Sequence, residues 1–147
     1  MSGIVCAIRG GPASQPTISR AITLAQETSQ KILFLYVVNL DFLERTWSSR
    51  THTITKELRQ MGEFILLTAE VQAQQQGVSA EGVIREGKVR DEIILLCQET
   101  HADFVVLGIP KGDHEHNAFT AERLKQFTQS IEESSGAKAI LAEDTER

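Results

Sequence analysis

Short apolar runs alternate with longer amphipathic stretches along the whole chain. Four segments are largely apolar, namely Ile4–Ile8, Lys31–Val38, Phe104–Gly108 and Ala139–Ala142, and Ser79–Glu86 is a more polar fifth. Strands of a parallel sheet are covered on both faces and therefore read as continuous apolar runs. The pattern predicts five strands, with Ser79–Glu86 at an edge of the sheet.

Between these runs, apolar residues recur at the three- and four-residue spacing of helices. The first predicted helix turns Ile18, Ala21, Ile22 and Ala25 inward. The second and longest is predicted from about Thr51 to Gln76. Its predicted buried stripe contains Ile54, Leu58, Met61, Ile65, Thr68 and Gln72, widened by Phe64 and Val71.

Two further helices are predicted over Val89–Thr100 and Thr120–Ser135, with Thr120 as the N-cap of the last one. Gly77 and Gly136 follow predicted helix ends, where glycine adopts the left-handed conformation most easily. Strands that alternate with helices indicate a parallel sheet between two helix layers, a three-layer α/β sandwich. We see no repeat, low-complexity tract or linker, so we expect residues 1–147 to form one domain.

Composition narrows the classes of function. The 147 residues are 41% hydrophobic and carry a net charge of −5, without a stripe of Lys and Arg, so nucleic-acid binding is not expected. The apolar runs are too short to span a bilayer, and the N-terminus lacks the basic region of a signal peptide. Cys6 and Cys97 lie in apolar runs and read as buried, reduced thiols of a cytoplasmic protein.

The segment Ala102–Gly108 is the most informative stretch, because an acidic residue leads into an apolar run that stops at a glycine. Open α/β sheets bind ligands at the carboxyl ends of their strands. We therefore expect Gly108 at the rim of any site, in a backbone turn too tight for a side chain.

Several segments together carry a family resemblance. These are Ile4–Ile8 with the helix that contains Ala21 and Ala25, the Leu33–Val38 strand, the segment Val83–Ile93 with its internal Glu-Gly, and Ala102–Gly108. The layout resembles the universal stress protein family over nearly the whole chain. The resemblance implies the fold of the adenine nucleotide alpha hydrolase-like proteins, a five-stranded parallel sheet in the order 3-2-1-4-5. It also implies a homodimer, often formed through the last strand.

The resemblance further implies an ATP site in many members. It consists of an aspartate after strand one, a Gly-x-x-Gly pair after strand four, and a Gly-Ser or Gly-Thr before the last helix. This sequence has Arg9 at the aspartate position, and Gly108 and Gly112 are one residue too far apart. Pro110 removes a backbone donor between them. Thr120 alone could supply a hydroxyl at the helix start.

We therefore expect a regulatory or protective module that acts by binding, without catalytic machinery and without a functional ATP site or other cofactor. The alternative is a weak or altered binder of ATP or AMP, and a slow ATPase is a distant third interpretation. A nucleotide would be held by residues at the carboxyl edge of the sheet: Arg9, Gly10, Gly11, Val38, Asn39, Gly108, Lys111, Gly112 and Thr120.

Three further motifs have a structural and a functional interpretation. The Arg9–Ser14 segment contains two glycines before a helix and reads either as an anion-binding nest or, with more weight, as a tight turn. The Asp113–His116 segment could offer two imidazoles and a carboxylate, but a solvated loop is favoured and no metal is predicted. Trp47 with Phe42 and Leu43 would cover the sheet or bind a protein partner.

Overall fold

A computed structural model of the chain describes residues 3–9, 14–38, 50–108 and 118–142. The described elements, in chain order, are β1 (Ile4–Ala7), α1 (Gln15–Thr28), β2 (Ile32–Val38), α2 (Arg50–Gln75), β3 (Ala80–Glu86), α3 (Val89–Thr100), β4 (Phe104–Gly108), α4 (Ala118–Ser135) and β5 (Lys138–Ala142). The predicted strands and helices are confirmed, with ends that differ by at most two residues. Within the described part of the chain, no helix is both long enough and apolar enough to cross a membrane.

All five strands run parallel in one sheet, in the order β3-β2-β1-β4-β5. In the centre of the sheet, Ile4 of β1 lies between Ile32 of β2 and Phe104 of β4. The order implied by the resemblance is confirmed, and β3 occupies an edge as its polar sequence predicts. The carboxyl ends of all strands consequently meet along one edge of the sheet.

Helices cover both faces of the sheet and enclose two separate cores. On one face, α1 and α2 pack against alternate strand residues, including Ile4, Cys6, Phe34 and Val106. On the other face, α3 and α4 pack against Val5, Leu35, Val105 and Leu107. Successive residues of a strand point to opposite faces, so one apolar run serves both cores. This double burial explains why the strands are apolar without alternation.

The predicted buried side of α1 is confirmed. Ile18, Ala21, Ile22 and Ala25 are all buried, as are Thr17 and Leu24. The helix ends at Ser29, which adopts the left-handed conformation with φ 57° and donates its backbone N–H to Ala25 O. The periodicity of α1 therefore identifies both the helix and its inner side.

The predicted buried stripe of α2 is only partly confirmed. Leu58, Ile65 and Gln72 are half-buried, with Ile65 packed against the core, but the other residues of the stripe are exposed. Phe64 is 70% exposed and Met61 51% exposed, and Ile54, Thr68 and Val71 also face solvent. The side that packs on the sheet consists mainly of small residues around one leucine: Gly62, Leu66, Ala69 and Ala73.

Helix α2 lies very close to the sheet, which explains why its side of small residues is the one that packs on the strands. The Tyr36 ring of β2 lies against Gly62, where an added Cβ would be 2.4 Å from Tyr36 Cδ2. Leu66 and Glu70 approach Gly82 of β3, where an added Cβ would be 2.9 Å from Leu66 Cβ. Larger residues on this side of α2 would push the helix away from both strands.

The turn between β3 and α3 contains Gly87, at a position where the backbone conformation and the nearby Glu92 side chain both favour glycine. Gly87 has φ +149°, and a Cβ there would lie 2.8 Å from Glu92 Oε2. Arg85 of β3 forms ion pairs with two glutamates of α3: its Nη1 lies 3.6 Å from Glu92 Oε1 and its Nη2 lies 2.7 Å from Glu99 Oε1. The hydrogen bond to Glu99 raises the pKa of Arg85. This network joins β3 to α3, which has Asp91 and Glu92 in its first turn.

Candidate functional site

The described part of the carboxyl edge brings together the ends of four strands. Arg9 follows β1, Val38 ends β2, Glu86 ends β3 and Gly108 ends β4. The backbone N–H of Ile8 still donates to Leu35 O at 2.9 Å, so Arg9 is the first residue beyond the sheet. Three of the predicted site residues (Arg9, Val38 and Gly108) therefore lie along one edge, as parallel strands require.

Ser14 links the start of α1 to Arg9, the residue beyond the end of β1. Its hydroxyl accepts a hydrogen bond from the Arg9 backbone N–H at 3.2 Å and donates to the Arg9 carbonyl. Ser14 is buried and forms no side-chain cap on α1, whereas the Arg9 residue is exposed. The Ser14 hydroxyl is thus used in fixing the backbone of Arg9. Ser14 and Arg9 are five residues apart in the sequence. A serine just before a predicted helix is the sequence signal that could have indicated this contact.

At Gly108 the backbone leaves no room for a side chain, as predicted, although its φ lies outside the left-handed region. The turn expected after it lies outside the described residues. A Cβ on Gly108 would lie 2.5 Å from Thr17 Oγ1 of α1, and Thr17 is fully enclosed in the core. Thr17 also accepts a hydrogen bond from Cys6 through its carbonyl, at 3.8 Å. Thr17 is therefore a residue of this edge that the sequence analysis did not single out.

At the carboxyl ends of β2 and β3, two polar contacts connect the strands to the following turn and to α2. The Val38 carbonyl accepts the Gly87 backbone N–H at 3.0 Å, and the Val38 side chain is buried. Arg59 of α2 reaches over the end of β3, where its Nη1 lies 2.7 Å from Glu86 Oε2. No sequence signal pointed to this ion pair, since its partners are separated by 27 residues.

The remaining predicted site residues cannot be placed in the same way. Gly10, Gly11, Asn39, Lys111 and Gly112 lie outside the described residues. The Asp113–His116 segment and the Phe42, Leu43 and Trp47 cluster lie outside them as well. Thr120 is the third residue of α4, which begins at Ala118, so its prediction as an N-cap is wrong. Among the residues that are described, no three His, Cys, Asp or Glu side chains group as metal ligands.

Both cysteines are structural. Cys6 lies beneath α1 and Cys97 on the inner side of α3, and both are free thiols in the core. Burial raises the pKa of Cys6 and raises the pKa of Cys97 to about 11. Both groups therefore stay protonated at neutral pH, which agrees with the predicted buried, reduced thiols.

The outer edge of β5 is partly occupied from within the chain. Lys138 N–H donates to Asp103 O, just before β4, whereas Ala139 N–H donates to Glu132 Oε2 of α4 at 2.8 Å. Backbone groups on an exposed edge can pair with another strand unless something covers them. Pairing of two copies through this last strand stays a prediction, and Glu132 covers one of the donors that it would use.

The comparisons with known proteins agree with this architecture. The universal stress protein UspA from Lactobacillus plantarum superposes with a TM-score of 0.73 at 15% identity, over 96% of this chain and 97% of that chain. A universal stress protein in complex with cAMP gives 0.68 at 17% identity, over 95% of both chains. One from Archaeoglobus fulgidus in complex with dAMP gives 0.59 at 16% identity, over 96% and 97%. These similarities show the shared fold.

The sequence matches no curated protein. It does match the profile of the Universal stress protein family over residues 1–119, a segment that includes β1 to β4 and most of the described carboxyl edge. With most of its length matched by that profile, the chain belongs to the universal stress protein family.

Proposed function

We propose that this protein is a regulatory module of the stress-protein type that acts by binding rather than by catalysis, and that its nucleotide site departs from the family's ATP pattern. The observation that carries the proposal is Arg9, which follows β1 where the family resemblance implies an aspartate. Ser14 fixes the Arg9 backbone through both its N–H and its carbonyl. A cation therefore replaces an acceptor suited to adenosine hydroxyl groups.

The chemistry of the thiols supports a role without catalysis. A nucleophilic cysteine needs an accessible thiolate, and Cys6 and Cys97 are buried with a raised pKa. Arg59 and Glu86 form an ion pair at the carboxyl edge, so neither charge is left unpaired there. The described edge thus offers surfaces for binding and no activated nucleophile.

A second candidate is an altered adenine nucleotide site. Two proteins of this fold were solved in complex with cAMP and dAMP, which both carry adenine and a single phosphate. A guanidinium pairs well with one phosphate, and Arg9 is an exposed residue at the carboxyl edge of the sheet. A nucleoside monophosphate therefore fits this edge better than a triphosphate that needs the glycine cradle.

Calorimetric titration of the purified protein with ATP, AMP, cAMP and dAMP separates these candidates. The first proposal predicts no co-purifying adenine absorbance and no saturation by any of the four up to about 1 mM. Saturable micromolar binding of ATP would contradict the departure from the family pattern.

If a monophosphate binds, Arg9→Ala should weaken it about 10-fold, because a charged hydrogen bond is lost. Lys31→Ala is the matched control, because it removes the same charge at the amino edge of the sheet. Gly112→Ala should matter only if the phosphate is held between β4 and α4. Equal losses in Arg9→Ala and Lys31→Ala would rule out a specific contact at Arg9.

A further inference from the structure

The N-terminus of α1 has neither a side-chain cap nor an acidic residue in its first turn. Ser14 occupies the N-cap position, but its hydroxyl is engaged with the Arg9 backbone instead. The first N–H groups of a helix have no partner within the helix, and they concentrate partial positive charge at that end. Such an end favours an anion but does not define a binding site by itself.

The Thr17 hydroxyl is a second and independent feature of this end of α1. Thr17 is only 3% exposed, and no described residue forms a hydrogen bond with its hydroxyl. The hydroxyls of Thr28 and Thr100, at the ends of α1 and α3, each donate to the carbonyl four residues earlier at 2.8 Å. Thr17 is the third residue of α1 and has no helical carbonyl at that spacing. Buried hydroxyls normally have a partner, so this one is free for a ligand.

The Thr17 hydroxyl is also not sealed off from the surface. In the described part of the chain, the side-chain atom that is both shielded from solvent and without a partner is Gln30 Oε1, at the opposite edge of the sheet. The Thr17 oxygen is therefore buried deeply enough to be dry on most sides and still open on one.

Thr17 lies where the order of the strands reverses. Its Oγ1 would be 2.5 Å from a Cβ on Gly108, the last residue of β4. Strand β4 pairs with β1, which Arg9 follows. The chain leaves β1 towards β2 and leaves β4 towards β5, on opposite sides, and this divergence opens a crevice between the two strand ends. Gly108 adds no side chain to that crevice.

We propose that this crevice holds a single phosphate group at the N-terminus of α1, with Thr17 Oγ1 donating a hydrogen bond to one phosphate oxygen. Arg9 supplies a positive charge at the same edge. The inference rests on the proposed binding role and names the chemical group that is bound. It favours the anion-binding interpretation of the Arg9–Ser14 segment over the tight turn.

A phosphate suits these donors better than a carboxylate does. Pro16 has no N–H, so the backbone donors of the first turn are those of Gln15 and Thr17. Together with the Thr17 hydroxyl and Arg9, they approach an anion from several directions. A phosphate group has three or four acceptor oxygens in a tetrahedral arrangement, whereas a carboxylate has two in one plane. The chain carries a net charge of −5, so an anion must be held by local contacts rather than by the overall charge.

Titration with inorganic phosphate, followed by NMR of the backbone amides at constant ionic strength, tests the site. The signals of Gln15, Thr17 and Gly108 should shift and saturate, with a dissociation constant of roughly 1–10 mM, since one small ion makes few contacts. Sodium chloride at the same ionic strength should leave these signals in place.

Substitutions of Thr17 test the hydroxyl. Thr17→Val keeps the shape of the side chain and should weaken phosphate binding about 10-fold, because a hydrogen bond to a charged group is lost. Thr17→Ser should restore binding to within about 2-fold of the wild type. Thr28→Val is the matched control, since it removes a hydroxyl from the other end of the same helix, and it should bind like the wild type. Thermal unfolding checks that the variants are folded, and Thr17→Ala replaces Thr17→Val if the latter is not.

AMP and adenosine distinguish the two sources of a single phosphate group. If AMP binds at least 10-fold more tightly than phosphate and depends on Thr17, the ligand is a phosphate monoester. If AMP and phosphate bind equally, the ligand is free phosphate. Both results support the site. Phosphate binding that depends on Thr17, without any binding of adenosine, would support it even if the protein has no nucleotide site.

Three results would overturn the proposal. The first is the absence of a saturable response to phosphate up to about 50 mM, well above the expected dissociation constant. The second is equal phosphate binding by Thr17→Val and Thr28→Val. The third is binding of adenosine as tight as that of AMP, without binding of phosphate, which would leave an altered nucleotide site but no phosphate contact at α1.

Discussion

Helices α1 and α2 lie side by side on the same face of the sheet, yet only one of them buries the side that its sequence pattern predicts. In α1, the predicted stripe of Ile18, Ala21, Ile22 and Ala25 is the buried side. In α2, the bulkiest apolar residues of the predicted stripe point to solvent and the sheet meets a glycine and two alanines instead. The same periodicity therefore gave one prediction that is confirmed and one that is wrong for most of its residues.

The two helices differ in how many of their sides are apolar and in where the sheet leaves little room for side chains. Outside its apolar stripe, α1 carries polar residues, so only one orientation hides its apolar surface. On α2, two sides are apolar, and the strands beneath decide between them. Tyr36 fills the space over β2 and requires Gly62 above it. On α1 the small residue is instead on the strand, at Gly108 beneath Thr17.

Adjacent leucines on α2 give the largest predicted contrast. Leu66 is 4% exposed, whereas Leu67 faces solvent. Leu66→Ala should lower the free energy of unfolding by about 2–5 kcal/mol, because it removes buried methyl groups and leaves a cavity. Leu67→Ala should change it by less than about 0.5 kcal/mol at micromolar protein concentration.

Urea denaturation followed by circular dichroism measures both values, with Ile22→Ala on α1 as the reference for a core position. If Leu67→Ala cost as much as Leu66→Ala, the side of α2 that contains Leu67 would be packed rather than exposed, and the assignment of Leu66 to the inner side would lose its support.

Gly62 provides a test of the close approach itself. Alanine is about 1 kcal/mol better than glycine inside a helix, so Gly62→Ala should stabilise α2 if space allowed. A Cβ there would overlap the Tyr36 ring, and we expect a net loss of about 1–3 kcal/mol in the free energy of unfolding.

The control is the same substitution in a second background, where its effect on the free energy of unfolding should have the opposite sign. In a Tyr36→Ala background the overlapping ring atoms are gone, so Gly62→Ala should become stabilising by about 1 kcal/mol. A double-mutant cycle measures the coupling between the two positions. An equal loss in both backgrounds would mean that the ring does not determine the inner side of α2.

The comparison also indicates which features a sequence can reveal. Strand positions followed from continuous apolar runs, because burial on both faces leaves no other pattern. The order of the strands came from the family resemblance, since periodicity alone does not order a sheet. The inner side of α2 could not be predicted, because it depends on Tyr36 and Gly82, which are distant in sequence.

The candidate site divides in the same way. Arg9, Val38 and Gly108 were predicted to share an edge, because parallel strands end together. The contacts that define their surroundings were not predicted, because they link distant elements: Thr17 over Gly108, Arg59 with Glu86, and Glu132 with the Ala139 N–H. Gly108 was identified at the rim because a side chain was expected not to fit there, and the residue that leaves no space, Thr17, could not be identified from the sequence.

The smallest predicted effect concerns the ion pair between Arg59 of α2 and Glu86 of β3. Both side chains are partly exposed, so solvent screens their attraction and Arg59→Gln should lower the free energy of unfolding by no more than about 1 kcal/mol. The difference should shrink in roughly 1 M NaCl, where the screening length falls to about 3 Å. Arg90→Gln on α3, which removes an exposed pair with Asp91, is the matched control. A loss as large as that of Leu66→Ala would mean that charge, rather than the small residues beneath α2, fixes the orientation of this helix.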